Sequence, residues 1–192
     1  MRIFLCLLAL LLGLAGCRKA AEKKSIRAKM DACDLIKAEE VEAIQGSPVK
    51  ETKSSERFEV GLRVAQCFFS TADFTKSVVV TMWQSDPEKP AKQSPKEFWK
   101  ERFGRYSRGN VERNQDRDER PRERGEEEER KSIPPKRIDG LGDEAYWTGS
   151  VGAALYVLKN DVFVRVAVGG SGSEETRIKN SKALAEKALG RL

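Results

Sequence analysis

The sequence predicts an α+β domain, a single unit with helices flanking an antiparallel sheet, and three observations predict it. Valine-rich stretches alternate at strand period, serine-headed segments carry helix caps, and the order runs helix, strands, helix, charged insertion, strands, helix.

The first helix falls on residues 38–45, where Val41 and Ile44 share a face, glutamates lie elsewhere and Gly46-Ser47-Pro48 supplies a stop. Phe58, Val60, Leu62 and Val64 then alternate with polar or small residues, the period of one half-buried strand. The phase slips before Cys67 and Phe69, which predicts a bulge or bend. A second strand occupies residues 77–83. Ser94-Pro95-Lys96-Glu97 matches a capping box with proline at the first helical position, and Phe98, Arg102 and Phe103 continue that helical face. The spacing of Phe98, Trp99, Phe103 and Tyr106 fits one amphipathic helix laid over a sheet.

Residues 105–131 change character: nine are basic, nine acidic, and only Tyr106 and Val111 are sizeable and apolar. Such a stretch cannot bury enough surface to offset its ordering entropy, so a flexible charged insertion or a frayed helical extension is expected over about 105–132. The pattern of ordered structure returns at Ile138. Gly140-Leu141-Gly142-Asp143-Glu144 gives a turn, residues 145–148 a strand, and residues 153–158 and 162–168 a hairpin through Lys159-Asn160-Asp161. Val162, Val164, Val166 and Val168 share one strand face, with Phe163, Arg165 and Ala167 opposite. Ser171-Gly172-Ser173-Glu174 caps a C-terminal helix whose stripe is Ile178, Ala185, Ala188, Leu189 and Leu192.

The N-terminal residues set an expectation about compartment. Arg2 precedes an apolar run of 13 residues, 3–15, long enough for a secretory signal and short of the roughly 20 that a spanning helix needs. The run ends in Leu14-Ala15-Gly16-Cys17, which resembles the lipobox of bacterial lipoproteins. That resemblance implies a signal peptide over residues 1–16, cleavage after Gly16 and lipidation of Cys17. The basic segment 17–30 then reads as a lipidated tether, and 31–192 as the domain. The expected location is a lipid anchor on the cell membrane or outer membrane, outside the cytoplasm. In a two-membrane host, the absence of aspartate at Arg18 resembles lipoproteins sent to the outer membrane.

With Cys6 lost in the signal and Cys17 lipidated, Cys33 and Cys67 remain as one even pair, expected to close a disulfide in an oxidising compartment. A metal site is disfavoured because the chain has no histidine and no CxxC, and a reactive thiol lacks an imidazole to activate it. The formal charge of +6 becomes +5 without Arg2, and 34% of residues are charged with both signs interleaved, which argues against nucleic-acid binding.

Without histidine, Ser-His-Asp and Cys-His mechanisms are excluded; no cofactor is implied, and the expectation is a non-enzymatic domain. Asp143 and Glu144 are the remaining candidates, as carboxylates of a wall-polymer hydrolase, but Asp143 after two glycines better suits bonding backbone amides in a turn. A rival reading is a carrier of small molecules or peptides with an aromatic pocket around Trp83, Trp99 and Trp147. The first expectation is a membrane-tethered accessory or binding domain with an envelope protein partner.

Cys33-Asp34-Leu35-Ile36, Glu40-Val41, Gly46, Cys67 followed by aromatics, and the run from Gly140 to Trp147 resemble a family of small envelope lipoproteins built on a domain of unknown function. The resemblance implies one helix-and-sheet domain similar to the photosystem II P-subunit fold, with the two cysteines bridged. It carries over no catalytic role, and the charged insertion departs from its pattern.

Overall fold

The computed structural model describes residues 29–89, 91–107, 133–149 and 152–192. The expected signal peptide, Cys17, the tether up to residue 28 and insertion residues 108–132 lie outside the described residues. Arg105 and Tyr106, placed in the insertion from sequence, belong instead to a 3-10 turn, Gly104–Tyr106, that extends a helix.

Seven antiparallel strands form one sheet in the order β1-β2-β3-β7-β6-β5-β4. They are β1 (Val49–Glu59), β2 (Leu62–Thr71), β3 (Val78–Gln84), β4 (Lys136–Arg137), β5 (Glu144–Thr148), β6 (Ala154–Lys159) and β7 (Val162–Val168). The helices are α1 (Ala38–Gln45), α2 (Pro95–Phe103) and α3 (Glu174–Leu189). This is the α+β class expected.

Both sheet faces are covered, which explains why the central strands carry apolar residues at successive positions rather than in strict alternation. On one face α1, α3 and a 3-10 turn at Ala32–Asp34 pack on Cys67, Phe69, Val80, Met82, Val164 and Leu155. On the other, α2 sets Trp99 and Phe103 against Leu62, Val64, Trp83 and Phe163. The helix boundaries follow their caps. Gly46 ends α1 in the left-handed region, Ser94 and Glu97 complete both bonds of the capping box of α2, and the Ser173 hydroxyl accepts from the Thr176 N–H at the start of α3.

The structure corrects the reading of residues 58–69. Phe58 to Val64 is no single strand: Val60 and Gly61 take φ of 51° and 82°, so the chain reverses and Phe58 on β1 lies opposite Arg63 on β2. Two left-handed central residues make a two-residue hairpin turn, and a period-2 count runs straight through it. Nor is there a bulge before Cys67. Pairing of β2 with β3 is unbroken from Arg63 opposite Gln84 to Phe69 opposite Val78. The phase changes because Leu62 and Val64 face α2, whereas Ala65, Cys67 and Phe69 face the other layer. The register shift that does occur lies in β1, between Val49 and Glu51.

Candidate functional site

Three places bear on function: the aromatic layer, the Asp143-Glu144 turn, and the sheet end where the chain enters at Met30.

Helix α2 positions the aromatic layer. Its N-terminus docks on the β6–β7 turn, where the Lys96 N–H donates to Asp161 Oδ1 at 3.2 Å, and Trp99 and Phe103, one turn apart, face the sheet. Trp83 stacks on Phe163 with centroids 4.4 Å apart, and Phe103 stacks on Tyr146 at 5.1 Å. The ring N–H groups are engaged: Trp99 Nε1 donates to Glu144 Oε2 at 3.2 Å, and Trp83 Nε1 to Glu59 Oε2 at 3.4 Å. Beside them the Tyr156 hydroxyl accepts from Arg102 Nη2 and from Arg165 Nε, each at 3.1 Å. Trp147 sits across the sheet in the other layer, with the Arg177 guanidinium 5.9 Å from its ring. The fold thus brings Trp83 and Trp99 together and separates Trp147 from both by the thickness of the sheet.

The two carboxylates of the acidic pair engage different partners. Asp143 Oδ2 accepts the Asn160 N–H at 2.6 Å while the Asp143 N–H donates to the Leu158 carbonyl at 2.8 Å, tying the glycine turn to the β6–β7 hairpin. The turn needs glycine at 142, where φ is +61° and a Cβ would run into the Leu158 carbonyl oxygen. Glu144 instead holds the Trp99 ring. Burial pushes the neighbouring Tyr146 phenol up, the Glu144 carboxylate adds to the rise, and Arg137 opposes it.

At the sheet end formed by the β1–β2 turn, the chain enters the fold under several constraints. The Met30 carbonyl accepts from the guanidinium of Arg63, whose side chain is only 4% exposed, and from Gln84 Nε2 at 3.0 Å. Arg63 also binds Glu56, and Lys29 Nζ lies 3.3 Å from the same carboxylate. The bond from Arg63 holds the Glu56 carboxyl below its ordinary value against the opposing effect of desolvation, with Lys29 adding to the lowering. Asp31 caps the first turn by accepting the Cys33 N–H at 2.8 Å and also accepts the Ser54 hydroxyl. Cys33 and Cys67 form a disulfide with Cα atoms 4.9 Å apart, so residues 30–35 are bound to the sheet by hydrogen bonds and a covalent link.

On this end Phe58 and Val60 stay 43% and 50% exposed. The loop after β3 flanks them: Lys89 Nζ lies 4.0 Å over the Phe58 ring, and the backbone of Ala91 and Lys92 packs on Gly61. Counting alternation along residues 58–64 hid this tip. The signal that exposes it is Gly61, a turn former that interrupts the apolar alternation between Val60 and Leu62.

No protein-family model, curated protein or solved structure matches the chain. Among the described residues no group of three or more Asp, Glu or Cys is placed to hold a metal, and no helix is long and apolar enough to cross a membrane.

Proposed function

We propose that the protein is a lipid-anchored envelope lipoprotein whose α+β domain is a non-enzymatic accessory or binding module for another envelope protein. The observation that carries this reading is the apolar run ending in Leu14-Ala15-Gly16-Cys17. The Cys33–Cys67 disulfide is compatible with a compartment outside the cytoplasm, where such bonds persist. Acyl chains on one cysteine each contribute about 0.8 kcal/mol per buried methylene, so two or more suffice for stable attachment. The accessory role is favoured over a hydrolase because Asp143 closes a turn and Glu144 holds the Trp99 ring, each carboxylate with a structural partner.

Metabolic labelling with palmitate and membrane fractionation test the anchor: Cys17→Ser is expected to lose both label and membrane association, and persistent labelling of that variant overturns the reading. Crosslinking in intact envelopes followed by pull-down tests the accessory role. Turnover of a wall polymer by the purified chain alone would remove it.

A further inference from the structure

The β1–β2 tip holds a conformation that its sequence does not favour. Position 60 requires positive φ, where asparagine or glycine is relaxed and a β-branched side chain is strained, yet valine occupies it with half its surface in water. Neither burial nor turn chemistry accounts for valine there. Strain of this kind, kept at an exposed apolar residue, points to a contact outside the domain.

Phe58 lies next to it under Lys89, and the loop carrying Lys89 and Lys92 abuts the turn. The tip is therefore two apolar side chains, with the Lys89 ammonium over one of them and the Lys92 backbone against the turn. Neither lysine pairs with a carboxylate among the described residues. Phe74, also exposed, sits in the β2–β3 connection at the opposite end of the sheet.

The chain enters the domain at this same end. Phe58 is directly opposite Arg63, the residue that holds the Met30 carbonyl. Between Cys17 and Met30 lie 12 residues, six of them basic and one acidic. A chain of that length reaches at most about 45 Å whatever its conformation, so an anchor at Cys17 keeps the entry end of the domain within that distance of the headgroups. Tethering by so short a segment raises the effective concentration of the surface to about millimolar, so a weak contact is populated.

We infer that the tip formed by Phe58, Val60, Lys89 and Lys92 docks on the anionic lipid surface of the leaflet that holds the anchor, fixing the domain's orientation. This rests on the lipoprotein reading. The phenyl and isopropyl groups enter the interfacial region, and the lysine ammonium groups meet the lipid phosphates.

Hydrogen exchange on the chain beginning at Cys17 tests it. The intact mass of the cellular protein reports acylation separately. For the docking measurement Cys17, the free thiol once Cys33 and Cys67 are bridged, is coupled to a maleimide lipid in phosphatidylglycerol-containing vesicles. Amides of residues 57–62 and 86–92 are expected to exchange several-fold more slowly than in the same chain with Cys17 blocked and no vesicles. Residues 72–77 should be unchanged. Uncharged phosphatidylcholine vesicles should weaken the effect, and a Phe58→Ser, Val60→Asn double variant whose thermal midpoint is no lower than the parent's should abolish it. Equal exchange with and without vesicles overturns the proposal. So does protection spread equally to residues 72–77, which means crowding of copies, and so does protection that requires added envelope protein. Unacylated cellular protein with a docking coupled chain would refute the anchor alone.

Discussion

Val60 shows how one backbone angle separates foldability from surface chemistry. A left-handed β-branched residue costs about 1 kcal/mol relative to a residue that tolerates the region, and the side chain recovers little of this because half of it remains in water. Val60→Asn is therefore expected to stabilise the domain by about 1 kcal/mol, raising the thermal midpoint by about 2–4 °C in a chain of this size. Calorimetry of the two proteins reads it directly, and an unchanged or lower midpoint would show that valine is the relaxed choice. Arg63 poses the opposite case, a buried charge that nothing in the composition or period of β2 announces. Its guanidinium is tolerable in the interior because Glu56, across the β1–β2 turn, and the Met30 carbonyl, from a distant part of the chain, both meet it.

At the scale of elements, legibility followed where the determining chemistry is local. Helices α1, α2 and α3 could be read because Gly46, Ser94 with Glu97, and Ser173 sit in the chain next to the turns they cap. The β6–β7 hairpin was equally legible, since Asn160 takes the left-handed turn between two apolar runs. Strand β1 was not. Nearly every residue from Val49 to Glu59 is exposed, so its strand state comes from hydrogen bonds to β2 rather than from a buried face, and no hydrophobic period records it. Trp147 illustrates a related limit: a strand alternation tells which residues share a face but not which layer covers that face. The Cys33–Cys67 bridge, legible from parity, ties the entry turn to the middle of β2 across a separation of 34 residues. Closing a loop of that length stabilises the fold by about 4 kcal/mol in the chain-entropy model. A Cys33→Ala, Cys67→Ala double variant is expected to melt about ten degrees lower in a thermal scan. A shift of only a degree or two would mean that Asp31, Arg63 and Gln84 hold the entry segment without the bridge.

Across the whole molecule, the two ends of the described chain are joined by a clamp that responds to acid. Arg191, just after α3, donates to the Leu35 carbonyl at 2.8 Å and to Glu40 Oε1 on α1 at 2.8 Å, so the C-terminal turn secures the entry turn and the first helix together. The bond from Arg191 holds the Glu40 carboxyl below its ordinary value of 4.5, outweighing the rise that desolvation causes. A carboxylate whose folded pKa lies below its unfolded one contributes stability above the unfolded value and loses it as pH falls through the folded value. The contribution of this clamp is thus complete at neutral pH and disappears progressively below about 4.5. Because 29% of the Arg191 side chain and 20% of the Glu40 side chain remain exposed, solvent screens the pair and its contribution is small. Glu40→Gln is expected to lower the neutral-pH thermal midpoint by about 1–2 °C and to narrow that gap as the pH falls below about 4.5 and the parent carboxyl takes up its proton. Melting curves from about pH 3 to 7 on both proteins decide the matter: a gap that persists undiminished at the acid end would assign the loss to packing of the glutamate stem rather than to its charge.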